Sequence, residues 1–372
     1  MNILILSGQF GMGHQMAAKA IGEQIEQLDS DACITELDLF ACFYPHCSGL
    51  IFKAFHMLVE YCHGIYNLVY KLSGKMEVNV KPSGMKIYKK LQKMMDQYEP
   101  DVIVCTLPFC AKSIASYMEK TGSKISLVTC ITDISMHPEW ITSHTDAYLA
   151  PTREVKENLI KRGADSEHVF VTGIPVRQRF LQNDVKKLEK GSVVKKREDG
   201  SPVKNILIMG GGLGILPGIG KLIHFLHGFS GVSVTIITGK NHKVYEKWKD
   251  RYDDVTVLGY TESIDEYMKE ADLVISKAGG ITLFELVQCE VPLFIIHPFL
   301  EQEVNNARYA ERMHIGKVVW EKTQGFIPVL KELLTNDREW EEMKQNMKHV
   351  RDEIIDVELA DAMRVVLERA GA

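Results

Sequence analysis

Residues 3–14 read ILILSGQFGMGH, an apolar run followed by a glycine-rich turn and a histidine. A second stretch, residues 206–214, reads ILIMGGGLG and repeats the order of apolar run and clustered glycines. An apolar run of this kind indicates a strand that is buried on both faces, and glycines directly after it allow a tight turn into a helix. The two stretches therefore predict two domains of the same α/β kind, each beginning at one of these turns.

Apolar, β-branched runs alternate with amphipathic helical stretches along most of the chain, which is typical of parallel sheets covered on both faces. The fold class predicted is α/β, with two facing doubly wound domains and the ligand in the cleft between them. The predicted strands are 3–7, 33–38, 102–106, 126–131, 147–150, 169–172, 205–209, 232–238, 255–258, 273–276, 293–297 and 317–319.

A polar, charge-rich segment before the second glycine turn is predicted to be a linker. On this basis the first domain spans residues 1–180, the linker 181–202 and the second domain 203–352. Residues 353–372 have a helical period and no strand after them, so we expect a C-terminal helix that packs back on the first domain.

Composition narrows the class of protein. Apolar residues make up 45% and charged residues 25%, as in folded globular proteins, and a net charge of −5 gives no general attraction for nucleic acid. None of the 8 cysteines forms a CxxC pair, which favours a reducing compartment. No apolar run approaches the roughly 20 residues of a spanning helix. We therefore expect a cytoplasmic protein that reaches a membrane only peripherally, from its inner face.

Residues 40–93 depart from the α/β alternation. Phe52–Tyr70 is rich in aromatic and aliphatic side chains, and the following Lys71–Lys93 is rich in lysine. An apolar face beside a lysine cluster matches a membrane-surface segment that attracts anionic headgroups. A pair of core helices followed by a solvated helix face explains the same composition, and both interpretations stay open at this point.

Two first-domain turns carry candidates for catalysis. Gly13 and His14 open the helix after the first strand, where the positive end of the helix keeps an imidazole neutral, as a general base requires. A capping or surface histidine is the alternative. Asp133, His137 and Trp140 follow strand 126–131; Asp133 is placed to orient a base and Trp140 to stack on a sugar. A loop in which the tryptophan only packs is the alternative there.

The second-domain turns predict a site for a nucleotide. Gly211 and Gly212 would offer main-chain N–H groups to a pyrophosphate. The alternative is a tight strand-to-helix turn that binds no ligand. Thr282 and Glu285 lie at the start of the helix after strand 273–276, where they suit a phosphate and a ribose diol, although a Thr-to-Glu capping box gives the same spacing. After strand 293–297, clustered amides and carboxylates suit sugar hydroxyls.

No metal or other cofactor is predicted. Asp29-Ser30-Asp31 has the DxD form of metal-dependent sugar transferases, but it lies between a helix and a strand, where a solvated turn is expected. A group of cysteines and histidines lies close together at spacings that match no standard zinc site. The members of this group are Cys42, His46, Cys47, His56, Cys62 and His63.

Together, these motifs resemble the monogalactosyldiacylglycerol synthase and processive diacylglycerol glucosyltransferase family, lipid relatives of the lipid II-forming N-acetylglucosaminyltransferase. The resemblance covers nearly the whole chain and is strongest over residues 259–282 and 306–307. It implies the two-Rossmann-domain (GT-B) glycosyltransferase fold. It also implies an inverting hexosyltransferase that moves the sugar of UDP-glucose or UDP-galactose to a lipid, diacylglycerol, at the cytosolic membrane face.

The resemblance also implies residue roles. His14 matches the family's histidine that takes the proton of the acceptor, and Asp133, His137 and Trp140 match its TDxxxHxxW pattern. The family commonly has glycine before the glutamine of its QExxN element, where this chain has Glu301. Residues that match donor-binding elements are Gly211, Gly212, Gly239, Asn241, Tyr260, Glu285, Gln302, Glu303 and Asn306. Gly13, Lys277, Gly279, Gly280 and Thr282 complete the candidate donor site.

Three other functions share parts of this pattern. They are a transferase for a polyprenyl-linked or soluble acceptor, a UDP-sugar 2-epimerase on the same fold, and a non-catalytic UDP-sugar sensor. An epimerase needs additional acid and base carboxylates, and a sensor does not need His14. The predicted partners are a UDP-sugar, a lipid acceptor and an anionic membrane surface contacted through Phe52–Tyr70 and Lys71–Lys93, with no nucleic acid.

Overall fold

The computed structural model divides into two compact units, each built on one parallel sheet. The first unit comprises residues 1–178, 300–302 and 353–372, and the second comprises residues 179–299 and 303–352. Most of the predicted linker, residues 183–202, lies outside the described residues. The structure describes residues 1–10, 12–61, 64, 66–68, 85–134, 137–182, 203–211, 216, 218–321, 325–354 and 357–371.

The first unit has six parallel strands in the order β2-β1-β3-β4-β5-β6. The strands are β1 (Asn2–Ser7), β2 (Cys33–Asp38), β3 (Val102–Cys105), β4 (Ser126–Cys130), β5 (Ala147–Ala150) and β6 (Val169–Val171). The helices are α1 (Met12–Leu28), α2 (Leu39–Phe43), α3 (Ser48–Tyr61), α4 (Met85–Tyr98), α5 (Pro108–Thr121) and α6 (Arg153–Lys161). The short α7 (Gln178–Leu181) begins at the last residue of the range 1–178 and continues into the second unit. Two 3₁₀ turns, Pro138–Trp140 and Ser166–His168, precede β5 and β6.

Both faces of the first sheet are covered because successive side chains of a strand point to opposite sides. Ile3 and Ile5 of β1 join a buried cluster that includes α1. Leu4 and Leu6 join a second cluster, on the other face, that includes α4 and α5. The continuous apolar run of β1 thus reflects burial on both sides.

The second unit has six parallel strands in the order β12-β11-β10-β7-β8-β9. The strands are β7 (Lys204–Met209), β8 (Val232–Ile237), β9 (Val255–Leu258), β10 (Leu273–Ser276), β11 (Leu293–Ile296) and β12 (Gly316–Val319). The helices are α8 (Ile219–His227), α9 (His242–Trp248), α10 (Ile264–Glu270), α11 (Gly280–Cys289), α12 (Glu301–Arg312), α13 (Phe326–Thr335) and α14 (Asp337–Ile354).

The last helix, α15 (Leu359–Gly371), belongs to the first unit. Its buried residues Ala362, Met363 and Val366 join the cluster formed by β1 and α1. Burial of these apolar side chains against α1 holds the end of the chain on the first sheet.

Each sheet reverses its strand order beside its first strand. β1 lies between β2 and β3, and β7 lies between β8 and β10. Loops that leave the two strands at such a switch point run to opposite faces and open a crevice at the carboxyl edge of the sheet. Both glycine turns predicted from the sequence follow these first strands. The predicted α/β class with two Rossmann-like, doubly wound units is confirmed, and each predicted strand is present with ends within one residue.

Candidate active site

His14 lies in the first turn of α1, directly after the β1 turn. Its main chain and ring are tied to Thr106, the residue that follows β3. Because β1 and β3 are the two strands at the switch point of the first sheet, His14 stands at the crevice where ligands bind in this class of fold. Gly13 beside it has open space where a side chain would begin, so a ligand has room to approach the helix start.

The imidazole of His14 is held through one nitrogen. Nδ1 lies 2.8 Å from the carbonyl oxygen of Thr106 and 2.8 Å from Oγ1 of Thr132. Burial lowers the pKa of His14 to about 4, against a smaller opposing effect of the Thr106 hydrogen bond. The ring is therefore neutral near pH 7, which is the state that accepts a proton.

Asp133 follows β4 in the same unit and is also perturbed. Burial raises the pKa of its carboxyl group to about 6, while the indole N–H of Trp140, donated to Oδ2 at 3.1 Å, opposes the rise. Glu139 adds a smaller upward effect through its charge. A carboxylate with a pKa near neutrality is typical of functional sites.

The structure corrects the role predicted for Trp140. Its side chain is 0% exposed and packs in a cluster with Ile131 and Tyr148, so neither ring face is open to a sugar. Its polar contact is the hydrogen bond to Asp133. The alternative of a packing tryptophan is therefore correct, with the added effect that Trp140 orients the Asp133 carboxylate.

His137 is likewise buried, with 7% of its surface exposed. Its Nδ1 accepts the main-chain N–H of Glu139 at 3.4 Å and so caps the 3₁₀ turn Pro138–Trp140. Through this nitrogen His137 shapes the loop after Asp133, and its predicted contact with the acceptor stays a prediction.

In the second unit, the glycine turn follows β7 at the switch point. Gly211 has φ of +68°, a conformation that favours glycine, and open space where a side chain would begin. Its main chain is therefore accessible to a ligand. The other glycine predicted for this turn, Gly212, lies outside the described residues.

The strand beside β7 at the switch point is β10, and its loop carries the next group of candidates. Gly279 caps α11, which begins at Gly280. The Thr282-to-Glu285 capping box is therefore excluded, because Thr282 lies inside the helix. Glu285 is 7% exposed, one turn further along α11. Lys277 lies in the same loop, with its ammonium 5.6 Å from the ring centre of Phe299.

Helix α12 carries the remaining donor candidates. Gln302 and Glu303 lie in its first turn, and Asn306 lies one turn later with 6% of its surface exposed. The Asn306 amide donates to the carbonyl of Ala278 at 2.8 Å. Asn306 therefore fixes the loop after β10, which makes it a structural support for that loop.

Two further candidates follow β8 and β9. Gly239 has φ of +55°, and the Asn241 side chain accepts the N–H of Val244 at 3.2 Å, capping α9. Tyr260 follows β9 with 61% of its surface exposed, so its main chain and ring are open to a ligand. The carboxyl edge of the second sheet thus carries candidate residues in the loops after β7, β8, β9 and β10.

The metal-like patterns have structural explanations or fall outside the described part of the chain. Asp29 accepts the main-chain N–H of Asp31 at 3.0 Å, within the turn from α1 to β2. Cys62 and His63 lie outside the described residues. Within the described ranges, no group of three or more His, Cys, Asp or Glu residues is arranged to hold a metal ion.

Helix α3 is held on the first unit by aromatic rings. Phe52, which is 6% exposed, and the half-buried Phe55 pack edge-to-face on Phe10, with ring centres 5.1 and 5.3 Å apart. Phe10 lies in the turn between β1 and α1, so α3 is anchored beside the turn that carries His14. Phe52 therefore belongs to the core, which corrects its predicted place on a membrane-facing surface.

The outward side of α3 exposes apolar side chains. Leu50 and Met57 are 73% and 62% exposed and, seven positions apart, lie on the same side of the helix, and Ile51, which is 37% exposed, flanks them about a quarter turn away. We call these three residues the α3 apolar face. No helix in the described ranges has the length and apolar character needed to cross a bilayer.

The predicted basic stretch Lys71–Lys93 is described only from residue 85 onward. There, α4 carries exposed Lys86, Lys89 and Lys93. Lys90 has a structural role, because its ammonium donates to the carbonyl of Phe43 at 2.5 Å and so closes the end of α2. Both α3 and α4 pack against α2.

Comparison with known proteins identifies sequence relatives along the chain. The family model for monogalactosyldiacylglycerol (MGDG) synthase matches residues 14–176, and the model for the glycosyltransferase family 28 C-terminal domain matches residues 206–357. A processive diacylglycerol beta-glucosyltransferase of Bacillus subtilis is 30% identical over 376 residues, which cover 98% of this chain and 94% of the relative. One from Bacillus licheniformis is 28% identical over 382 residues, which cover 99% and 97%.

Solved structures share the fold at lower identity. MurG from Acinetobacter baumannii matches with a TM-score of 0.62 and 14% identity over 100% of both chains. The UDP-GlcNAc 2-epimerase of Neisseria meningitidis matches with a TM-score of 0.57 and 15% identity over 99% of both chains. A protein named as an epimerase thus shares this fold, so the fold alone does not settle the activity.

Proposed function

Because this chain belongs to the monogalactosyldiacylglycerol synthase and processive diacylglycerol glucosyltransferase family, we propose that it transfers glucose from UDP-glucose to the hydroxyl of diacylglycerol with inversion at the sugar carbon. The sequence relatives are named glucosyltransferases, which favours glucose over galactose as the donor sugar. The observation that carries the proposal is the neutral imidazole of His14 at the switch point of the first sheet.

In the proposed reaction, His14 acts as the general base. Nδ1 is engaged by Thr106, so the lone pair of Nε2 accepts the proton of the lipid hydroxyl. The hydroxyl oxygen attacks the anomeric carbon as the bond from that carbon to the UDP oxygen breaks, and UDP leaves with the electron pair. A single displacement of this kind inverts the configuration.

The second unit supplies the proposed donor site. Main-chain N–H groups beside Gly211 and at the start of α11 face the leaving diphosphate, and Lys277 adds a positive charge. Glu285 accepts hydrogen bonds from the ribose hydroxyls, and Tyr260 contacts the uracil. In this proposal these groups stabilise the leaving group without a metal ion.

We propose that the α3 apolar face and the exposed lysines of α4 place the enzyme on the cytosolic side of an anionic membrane. The apolar side chains enter the interface while the lysines attract anionic headgroups. Diacylglycerol lies in that interface, so this attachment brings the acceptor to the unit that carries His14.

UDP release tests the proposed function. We expect purified protein to release UDP from UDP-glucose only when vesicles contain diacylglycerol, with slower release from UDP-galactose, and to keep its activity in chelator. UDP release without lipid would favour a soluble acceptor. Interconversion of the donor without UDP release would favour an epimerase. Tight UDP binding with no turnover would favour a sensor.

The pH dependence of the reaction reports on Asp133. If the ionised carboxylate is required, kcat/KM falls as pH drops through about 6. Trp140→Phe removes the N–H that stabilises the ionised form, so the pKa of Asp133 rises and the acidic limb moves to higher pH. Rates of UDP release between about pH 5 and pH 8 measure the shift. An acidic limb that does not move in Trp140→Phe contradicts this role for Asp133.

A further inference from the structure

The threonine at the first position of the TDxxxHxxW pattern, which carries no predicted role, lies against the His14 ring. Thr132 follows β4, is 9% exposed, and places Oγ1 2.8 Å from Nδ1 of His14. Thr106, which is fully buried, places its carbonyl oxygen 2.8 Å from the same nitrogen and donates its hydroxyl to the His14 carbonyl at 3.0 Å. Residues that follow two different strands, β3 and β4, thus contact the same nitrogen of the ring.

The chemistry of these partners fixes the tautomer. A carbonyl oxygen only accepts, so Nδ1 carries the proton and donates it to Thr106. Thr132 Oγ1, at the same distance, is then a second acceptor of the same N–H. The lone pair of the neutral ring is left on Nε2.

We propose that Thr132 is a positioning residue that holds the His14 imidazole with Nε2 available as the base and stabilises its protonated form in the transition state. This inference rests on the proposed function. When Nε2 takes the acceptor proton, the ring becomes positive and its Nδ1–H becomes a charge-assisted donor. A hydroxyl oxygen that accepts from a charged N–H gains more than one that accepts from a neutral N–H. Thr132 therefore acts mainly on kcat.

The test replaces the hydroxyl and keeps the shape. Thr132→Val is expected to lower kcat by about 10- to 100-fold with KM for UDP-glucose unchanged, which corresponds to loss of one hydrogen bond to a charged group. Thr132→Ser keeps the oxygen and is expected to stay within about threefold of the wild type. The matched control is Thr172→Val, because Thr172 is also 9% exposed, follows β6 and donates its hydroxyl locally, to the carbonyl of Gly173.

A double-mutant comparison separates positioning from general support of the fold. If Thr132 acts through His14, Thr132→Val has no further effect on the residual rate in a His14→Gln background. A near-normal kcat in Thr132→Val, an equal loss in Thr132→Ser, or a further loss in the His14→Gln background overturns the inference. Absence of lipid-dependent UDP release in the wild type would instead overturn the proposed function, and a thermal unfolding curve reports separately that each variant is folded.

Discussion

His14→Gln is expected to lower kcat by roughly 100- to 10,000-fold and to leave UDP affinity near that of the wild type. Glutamine occupies similar space, but its amide nitrogen has no basic lone pair, so the lipid hydroxyl loses its proton acceptor. The residues proposed to bind UDP lie on the second unit, whereas His14 lies on the first. Lipid-dependent UDP release measures kcat, and calorimetric titration with UDP measures the affinity.

The control for this variant is a histidine on the surface of the same unit. His168 lies in a 3₁₀ turn, 3.9 Å from the carboxylate of Asp165, and its side chain is 42% exposed. His168→Gln is expected to keep the wild-type kcat. A His14→Gln enzyme with near-normal turnover would exclude His14 as the general base of the transfer.

The strands were predictable because a doubly wound fold buries both faces of its sheet, and β1 therefore appears as an unbroken apolar run. The order of the strands was not predictable in the same way. The placement of β10 beside β7 depends on the packing of whole crossover helices, and no local pattern encodes it. That pairing brings the glycine turn after β7 and the loop before α11 to one switch point.

The position of His14 beside the crevice was predictable, because it follows the glycine turn that links an apolar strand to a helix. Thr106 lies outside every motif, and Thr132 opens the TDxxxHxxW pattern without a predicted role, because threonine is common after strands. Their contact with His14 depends on the pairing of β1 with β3 and of β3 with β4, and these strands are far apart in the sequence. Trp140 was assigned to a sugar because sequence shows its aromatic ring but not its burial.

The segment predicted to contact a membrane shows the same limit. Composition identified an apolar region after residue 40 but did not show which side chains point inward. The ring of Phe10, from a turn far away in the sequence, buries Phe52 and leaves the aliphatic side of α3 exposed. The exposed apolar side chains of α3, which are proposed to contact a membrane, are therefore aliphatic. The aromatic side chains pack on the opposite side of the helix, against the first unit.

Leu50→Glu combined with Met57→Glu is expected to lower binding to anionic vesicles by about 100-fold or more. Burial of one large apolar side chain stabilises association by about 1.5–3 kcal/mol, so two losses exceed a factor of 100, and the added carboxylates are repelled by anionic headgroups. Both residues are more than half exposed, so the fold should keep its thermal stability. Co-sedimentation with vesicles of phosphatidylglycerol and diacylglycerol measures the effect.

Two isoleucines of equal exposure distinguish a specific effect of the α3 apolar face from the effect of adding a charge anywhere on the surface. Ile51 on α3 and Ile160 on α6 are both 37% exposed in the first unit. Ile51→Glu is expected to weaken vesicle binding and Ile160→Glu to leave it unchanged. A short-chain diacylglycerol dispersed in water should still be glucosylated by the Leu50 and Met57 double variant, because His14 is untouched. Equal vesicle binding by the double variant and the wild type would show that the lysines of α4, or another surface, carry the attachment.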